Sequence, residues 1–534
     1  MEFFDYIVVG AGSAGCAVAA RLSEDAACRV LLLEAGGRDD KLMIDMPAGW
    51  GKTQESDSAF NWAFETAAEP GLAGRTIPLP RGKVLGGSSA INGLLYIRGQ
   101  REDYDDWVAD GAHGWGWQDV APHFLRMERN IAITDPHHGD DGPIVVSDLV
   151  DPSPLSAILM RAAEQAGIPR TRDFNGATQE GVGMYQATLS GARRCSAAHG
   201  YLRPARNRTN LEVRTGAAVN RVLIEGQRAV GVRYRVGGEE REARARAEVL
   251  LCAGAIVTPQ LLMLSGIGPA GELARHGVEV RVDAPGVGRN LQDHLVVPLM
   301  WRLRDGQPSM NARLGGARVL LEVLHYLLRK RGAMTMPAAE VGIFLRSRPE
   351  IARPDLQFHV LPLSGDLDGE TKSLHAFPGY TLAPNVCRPT SRGSIVLASA
   401  DPADKPLVRM NYLSTEHDLE VTLAGMEWAR RIAAVPELAA ITASEVYPGV
   451  GASTREQLAD YARRAGTTGH HPVGTCRMGD DDAAVVDAQL AVRGVAGLRV
   501  ADASVMPRLI SGNTNAATIM IGERAAGFIL AGRR

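Results

Sequence analysis

The chain has 534 residues, with 58 Lys and Arg against 61 Asp and Glu and a net charge of −3. That near balance excludes the strong positive field on which nucleic-acid binders rely. Hydrophobic residues make up 45% and charged residues 22%, an ordinary globular composition, and the length predicts two domains or one elaborated domain. The six cysteines are scattered with no C-x-x-C pair, so neither a zinc site nor a disulfide framework is expected. No uncharged apolar run is long enough to span a bilayer. The first strand begins too close to Met1 for a cleavable signal peptide, and the expected location is the cytoplasm.

Asp5-Tyr6-Ile7-Val8-Val9 is an apolar, β-branched run that breaks into Gly10-Ala11-Gly12-Ser13-Ala14-Gly15 and leads into the helically spaced Cys16–Leu22. Strand, glycine turn and helix in this order predict a dinucleotide site. Gly10 permits the turn, Gly12 lets the backbone approach a pyrophosphate, and Gly15 lets helix and strand pack closely. The helix N-terminus then faces the diphosphate. A second strand, Arg29–Leu33, ends at Glu34, where the fold places an acid for the adenosine ribose. A carboxylate there accepts ribose hydroxyls and repels a ribose phosphate, which argues against NADP and leaves FAD or NAD.

The next stretch, with Met46–Trp50 and Phe60–Glu65, reads as a covering segment rather than another βαβ unit. Pro80–Gly99 then holds paired glycines, paired hydroxyls and an apolar run read as helical, a second place for close backbone approach by an anion or a flat ring. Residues 191–198 precede an expected amphipathic helix. Leu211–Arg214 reads as a strand, and Ala218–Ile224 with Ala229–Val232 as a hairpin. Glu248–Ala255 is a strand ending in small residues. Leu356–Val360 and Gly393–Leu397 alternate like antiparallel strands, and Asp418–Ala434 reads as a helix. Residues 316–331 form an apolar helix ending in Arg329-Lys330-Arg331; it is read as a lid or core helix, or as a foot on a membrane surface.

Two of these stretches carry a resemblance. Gly82–Asn92 matches the first signature of the glucose–methanol–choline (GMC) flavoprotein oxidoreductases residue by residue, and Gly254–Gly268 resembles the second. The likeness spans essentially the whole chain and is nearest in look to the choline dehydrogenase and bacterial alcohol dehydrogenase branch. It implies an α/β fold, with a Rossmann-type FAD-binding domain at 1–150, 190–295 and 461–534. The antiparallel sheet and helices of a substrate domain then occupy 151–189 and 296–460. FAD contacts are implied at Gly10, Gly12, Ser13, Ala14, Gly15, Glu34, Ala35, Trp62, Val84, Gly86, Gly87, Ser88, Asn92, Gly93, Leu94, Ala253, Asp502, Ala503, Asn513 and Thr514. Val219 is implied through its main chain, although a plain sheet residue fits equally. Some members attach FAD covalently to a histidine where this chain has Ile91, so noncovalent FAD is expected. No metal is expected.

In His470-His471-Pro472 the histidine before the proline matches the family's active-site motif, giving His471 as general base. Its neighbour His470 is expected to be structural, pointing elsewhere on an extended backbone. Asn513 falls on the second active-site position, where it would donate an N–H to the developing alkoxide. Asn515 is read as a helix N-cap. The implied reaction is FAD-dependent oxidation of a primary alcohol to an aldehyde, with electrons passed to a quinone, a cytochrome or another acceptor. An O2-using oxidase shares every motif, and a non-redox FAD-containing lyase occurs in the same family. A binding protein that merely holds FAD is disfavoured by His471 and Asn513. Aromatics for a choline cage are few and Glu340 is the one candidate counter-charge, also readable as structural or surface. An uncharged aliphatic or aromatic alcohol is therefore favoured. Contact with the inner membrane face and the oligomeric state stay open.

Overall fold

The structure, a computed structural model, describes residues 2–367 and 373–533. Its first sheet has seven strands: β1 (Glu2–Val9), β2 (Val30–Leu33), β3 (Leu211–Arg214), β4 (Ala217–Glu225), β5 (Arg228–Val236), β6 (Glu239–Leu251) and β7 (Leu498–Val500). The spatial order is β3-β2-β1-β6-β5-β4, with β7 beside the end of β6. β3, β2, β1, β6 and β7 run parallel. Covered on both faces, β2 is apolar and buried along its length, as parallel strands usually are. The register pairs Val9 with both Leu33 and Leu251, Leu33 with Arg214, and Leu251 with Val500. All five carboxyl ends therefore finish level, at the edge where open α/β sheets bind ligands.

Helix α1 (Ser13–Leu22) follows β1 and is buried on nearly every side, which its run of alanines allows. It packs against the C-terminal helix Asn515–Ala531. A Cβ on Gly15 would lie 1.9 Å from the Gly10 carbonyl oxygen, and Gly10 has φ +97°. Only glycines fit that turn.

The second sheet is antiparallel, in the order Thr442–Tyr447, Leu299–Leu303, Gly379–Val386, Leu356–Leu361, Val341–Leu345 and Gly181–Met184. Leu295–Val296 and Thr467–Thr468 pair beside Gly379–Val386. Helix Glu416–Ala433 packs on the Gly379–Val386 strand. No helix among the described residues is long and apolar enough to cross a membrane.

Several local expectations are corrected. Residues 91–99 are not helical: after a 3-10 turn at Gly87–Ala90 the chain is irregular, with Leu94 at φ +68°. The buried Arg194 guanidinium takes up the Ser89 and Asn92 carbonyls, which replaces intrahelical bonding. After residue 197 the helix is only a π-helical turn, Ala198–Leu202, running into Arg203–Ala205. Ser394–Val396 pairs with Leu407–Arg409 in a separate two-stranded sheet. Asn515 is the first helical residue rather than the cap, and its Oδ1 accepts from Ser13 Oγ at 2.7 Å. Arg318–Arg329 is a helix, but of its residues only Tyr326 is fully buried, so it is not a core helix.

Candidate active site

The level strand ends open into one cavity of about 1880 Å³. Its walls include Gly10, Gly12, Ser13, Ala14, Glu34, Ala35, Trp62, Gly87, Ser88, Asn92, Gly93, Leu94, Val219, Ala253, Asp502, Ala503, Asn513, Thr514 and His471. Three positions of the sequence reading stand behind the wall. Gly15 packs under the turn. The Gly86 N–H donates to the Ala11 carbonyl at 2.8 Å. Val84 is buried in an apolar cluster with Ile44, Ala90 and Ile91, because its side chain points away from the loop's open face.

These residues fit a dinucleotide. The first turns of α1 and of Asn515–Ala531 reach the same cavity, so two positive helix ends converge where a pyrophosphate would lie. Gly12 lines the turn, giving the backbone the close approach such a group needs. Glu34 accepts from the N–H groups of Ala11 (2.9 Å) and Gly36 (2.8 Å). Burial pushes its carboxyl up to about 7, those donors acting in the opposite direction. Asp502 is tied down rather than free: its carboxylate accepts from Gly254 N–H, Thr258 Oγ1 and Ser504 N–H, which fixes the chain entering Ala503. Ile91 lines the cavity between Ser88 and Asn92.

The reactive end is built from segments far apart in the chain. His471 is 7% exposed. Its Nδ1 lies 2.9 Å from His294 Nδ1, and its Nε2 lies 3.1 Å from Asn513 Nδ2. His294 Nε2 is 2.9 Å from the Cys387 carbonyl, which can only accept, so Nε2 carries the proton. Burial pushes the His294 imidazole down to about 4, so His294 is neutral and its Nδ1 is bare. His471 Nδ1 must therefore donate to it. Burial first, and then the neighbouring His294 and His359, hold His471 well below the usual imidazole range. A neutral ring protonated at Nδ1 leaves Nε2 as the acceptor, facing the Asn513 amide. Asn513 is oriented in turn, because its Oδ1 accepts from Gln357 Nε2 at 3.1 Å.

Asp293 holds the backbone. Its Oδ1 accepts the His471 N–H at 2.6 Å, and its Oδ2 accepts from Tyr412 and Thr468 hydroxyls at 2.5 Å each. The expectation for His470 is corrected: its backbone is left-handed, φ +66°, and His470 lines the cavity beside His471. Its carbonyl accepts from Arg81 Nη2 at 2.9 Å. Glu340 is structural. It is buried away from the cavity wall and accepts from Ser153 N–H and Ser156 Oγ.

The sequence reading did not single out Asp293, His294, Gln357 or His359. Gln357 and His359 carry a readable signal, two polar residues on one face of an alternating apolar strand. His294 has none beyond a polar pair, Asp293-His294, beside an apolar stretch.

Comparison with known proteins identifies the family. The N-terminal and C-terminal GMC oxidoreductase family models match residues 4–296 and 389–522. The chain is 44% identical to the alcohol dehydrogenase [acceptor] of Pseudomonas putida, over 99% of this chain and 96% of that one. It is 41% identical to the oxygen-dependent choline dehydrogenase of Photobacterium profundum, over 99% and 93%. Among solved structures, pyridoxine 4-oxidase from Mesorbium loti superposes with a TM-score of 0.89 at 33% identity, covering 98% of each chain. The fold, the cavity and these matches lead to one conclusion: the chain belongs to the GMC oxidoreductase family, FAD-binding enzymes that act on CH–OH donors.

Proposed function

We propose that this enzyme oxidises an uncharged primary alcohol to the aldehyde, with His471 as base and Asn513 as oxyanion donor. The observation that carries this reading is the bare Nε2 of His471, fixed by the chain through His294 to the Cys387 carbonyl. Bound FAD supplies a two-electron hydride acceptor. A substrate hydroxyl entering between His471 and Asn513 donates to Nε2 and accepts from the Asn513 N–H. Proton removal then builds negative charge on an oxygen that already faces a donor. The α-carbon hydrogen leaves as hydride and the hydroxyl proton passes to His471 Nε2, so the alcohol loses two electrons and two protons in becoming the aldehyde.

Met43, Met46, Met300, Met334, Met336, Leu361 and Leu363 are among the residues that line the cavity, and this apolar share supports an aliphatic or aromatic alcohol. Ile91 supports noncovalent FAD. The bracketed acceptor in the Pseudomonas putida relative's name supports electron transfer to a separate acceptor, which we take to be a quinone or cytochrome. The six buried, unbridged cysteines support a reducing compartment such as the cytoplasm.

The test is an anaerobic spectral titration of the yellow protein with aliphatic alcohols, aromatic alcohols and choline. Bleaching by an uncharged alcohol is the expected result. Bleaching by choline alone overturns the substrate class, and no bleaching by any alcohol moves the reading to lyase chemistry. Slow recovery of colour in air, accelerated by a quinone, is expected; rapid recovery with peroxide means an oxidase. Acid precipitation should leave the flavin in the supernatant.

A further inference from the structure

The helix Arg318–Arg329, here α2, has two apolar faces. Val319, Val323 and the buried Tyr326 face inward, and Val319 and Val323 line the active-site cavity. Leu320, Leu321, Leu324, Leu327 and Leu328 face outward and are 69%, 67%, 51%, 44% and 75% exposed. Their spacing makes one continuous stripe, whereas exposed apolar residues that need no explanation occur singly.

Charge defines what fits this stripe. Arg318 and Arg329 lie about three turns apart, so they share one edge of the helix, and Lys330 and Arg331 follow directly. Among the described residues no carboxylate lies within ion-pair distance of these four cations. Glu322, the helix's one acid, is held by Arg313 at 2.8 Å. Arg318 donates to the Ala312 carbonyl and Lys330 lies over the Tyr326 ring, which leaves Arg329 and Arg331 exposed at the helix end. A stripe of leucines beside cations that no carboxylate neutralises is complementary to an anionic bilayer surface, with leucines at the acyl boundary and cations among the headgroups. At 12 residues the helix is far too short to span a membrane, so it would lie in the surface plane.

We propose that α2 seats this protein on an anionic lipid surface. The consequence is specific: one wall of the active-site cavity then rests against the bilayer, so an alcohol or acceptor dissolved in lipid reaches the cavity along an apolar helix.

The experiment is flotation of the holoenzyme with phosphatidylcholine vesicles, with and without phosphatidylglycerol. Salt-sensitive co-flotation with the anionic vesicles is expected. The L320E/L324E/L328E variant should lose roughly tenfold or more of that binding while its flavin spectrum and turnover of a short water-soluble alcohol stay unchanged. The exposed pair Arg329→Gln/Arg331→Gln, which leaves packing untouched, should weaken binding to anionic vesicles several-fold. Wild type that stays unbound at low salt overturns the proposal, as does equal flotation of the charge variants. A wild-type dimer that the leucine variant splits, with no vesicle binding by either, would assign the stripe to a second copy instead.

Discussion

His294 and His471 meet Nδ1 to Nδ1 at 2.9 Å, and this contact fixes which nitrogen of the reactive histidine is free. A carbonyl on the far side of His294 forces its proton to Nε2, which forces the His471 proton to Nδ1. Replacing His294 by Ala removes that acceptor, and kcat should fall by about 10²-fold. A glutamine can accept from His471 with its oxygen and donate to Cys387 with its amide. His294→Gln should therefore recover most of the lost turnover; equal loss in both variants means the pair serves packing rather than tautomer choice.

His471→Ala deletes the base itself. General-base catalysis contributes roughly 10²–10⁴-fold, so anaerobic bleaching by alcohol should slow by that order. The nucleotide turn is distant in sequence and independent of this ring, so the purified variant should stay yellow. Unchanged bleaching would remove His471 from the chemistry.

Asn513→Asp places a carboxylate against a ring that burial keeps neutral. An adjacent negative charge favours imidazolium and raises its pKa. The acid limb of the kcat/KM profile should accordingly shift to higher pH, and rate near neutrality should drop. An unshifted limb in the variant argues that His471 is not the titrating group.

Gly15→Ala tests the turn. Its Cβ would meet the Gly10 carbonyl oxygen at 1.9 Å and Cys252 Cβ at 3.1 Å, and the backbone atom cannot swing aside. Overpacking of this kind costs roughly 1–3 kcal/mol or more. Thermal unfolding should shift down and the flavin-to-protein absorbance ratio should fall; retention of both shows that α1 can slide on β1.

Acid stability follows from the buried imidazoles. Burial lowers His294 and His359 from 6.5 to about 4. Between those values the unfolded chain binds more protons than the fold, so stability is full above about pH 6.5 and declines as pH falls. Each ring contributes up to roughly 3 kcal/mol to this loss. Glu34, raised from 4.5 to about 7 by burial, acts with the opposite sign in the protein without nucleotide, costing stability as pH rises through that range. His359→Gln isolates one imidazole. Its chemical-denaturation midpoint should fall less between pH 7 and pH 5 than that of wild type, and parallel loss rejects the assignment.

The glycine turn, α1, the second strand with Glu34 and the 217–236 hairpin were legible because each is decided within some thirty residues. Apolar periodicity and glycine backbone freedom are local properties. The helix at residues 318–329 was legible as a helix, but not the orientation of its faces, which depends on what packs against it. The sequence misled at Ala90–Gly99, where helical apolar spacing yields to carbonyl capture by Arg194 from another segment. It misled again at His470, where an extended backbone was assumed and a left-handed residue stands.

What the sequence by itself determined is a nucleotide-binding α/β chain with His471 and Asn513 in matched positions. Only the tertiary structure decided how that histidine is protonated. His294 lies 177 residues from His471, and Gln357 lies 156 from Asn513. Contacts across such separations arise from sheet packing, leaving no periodicity in the chain that makes them.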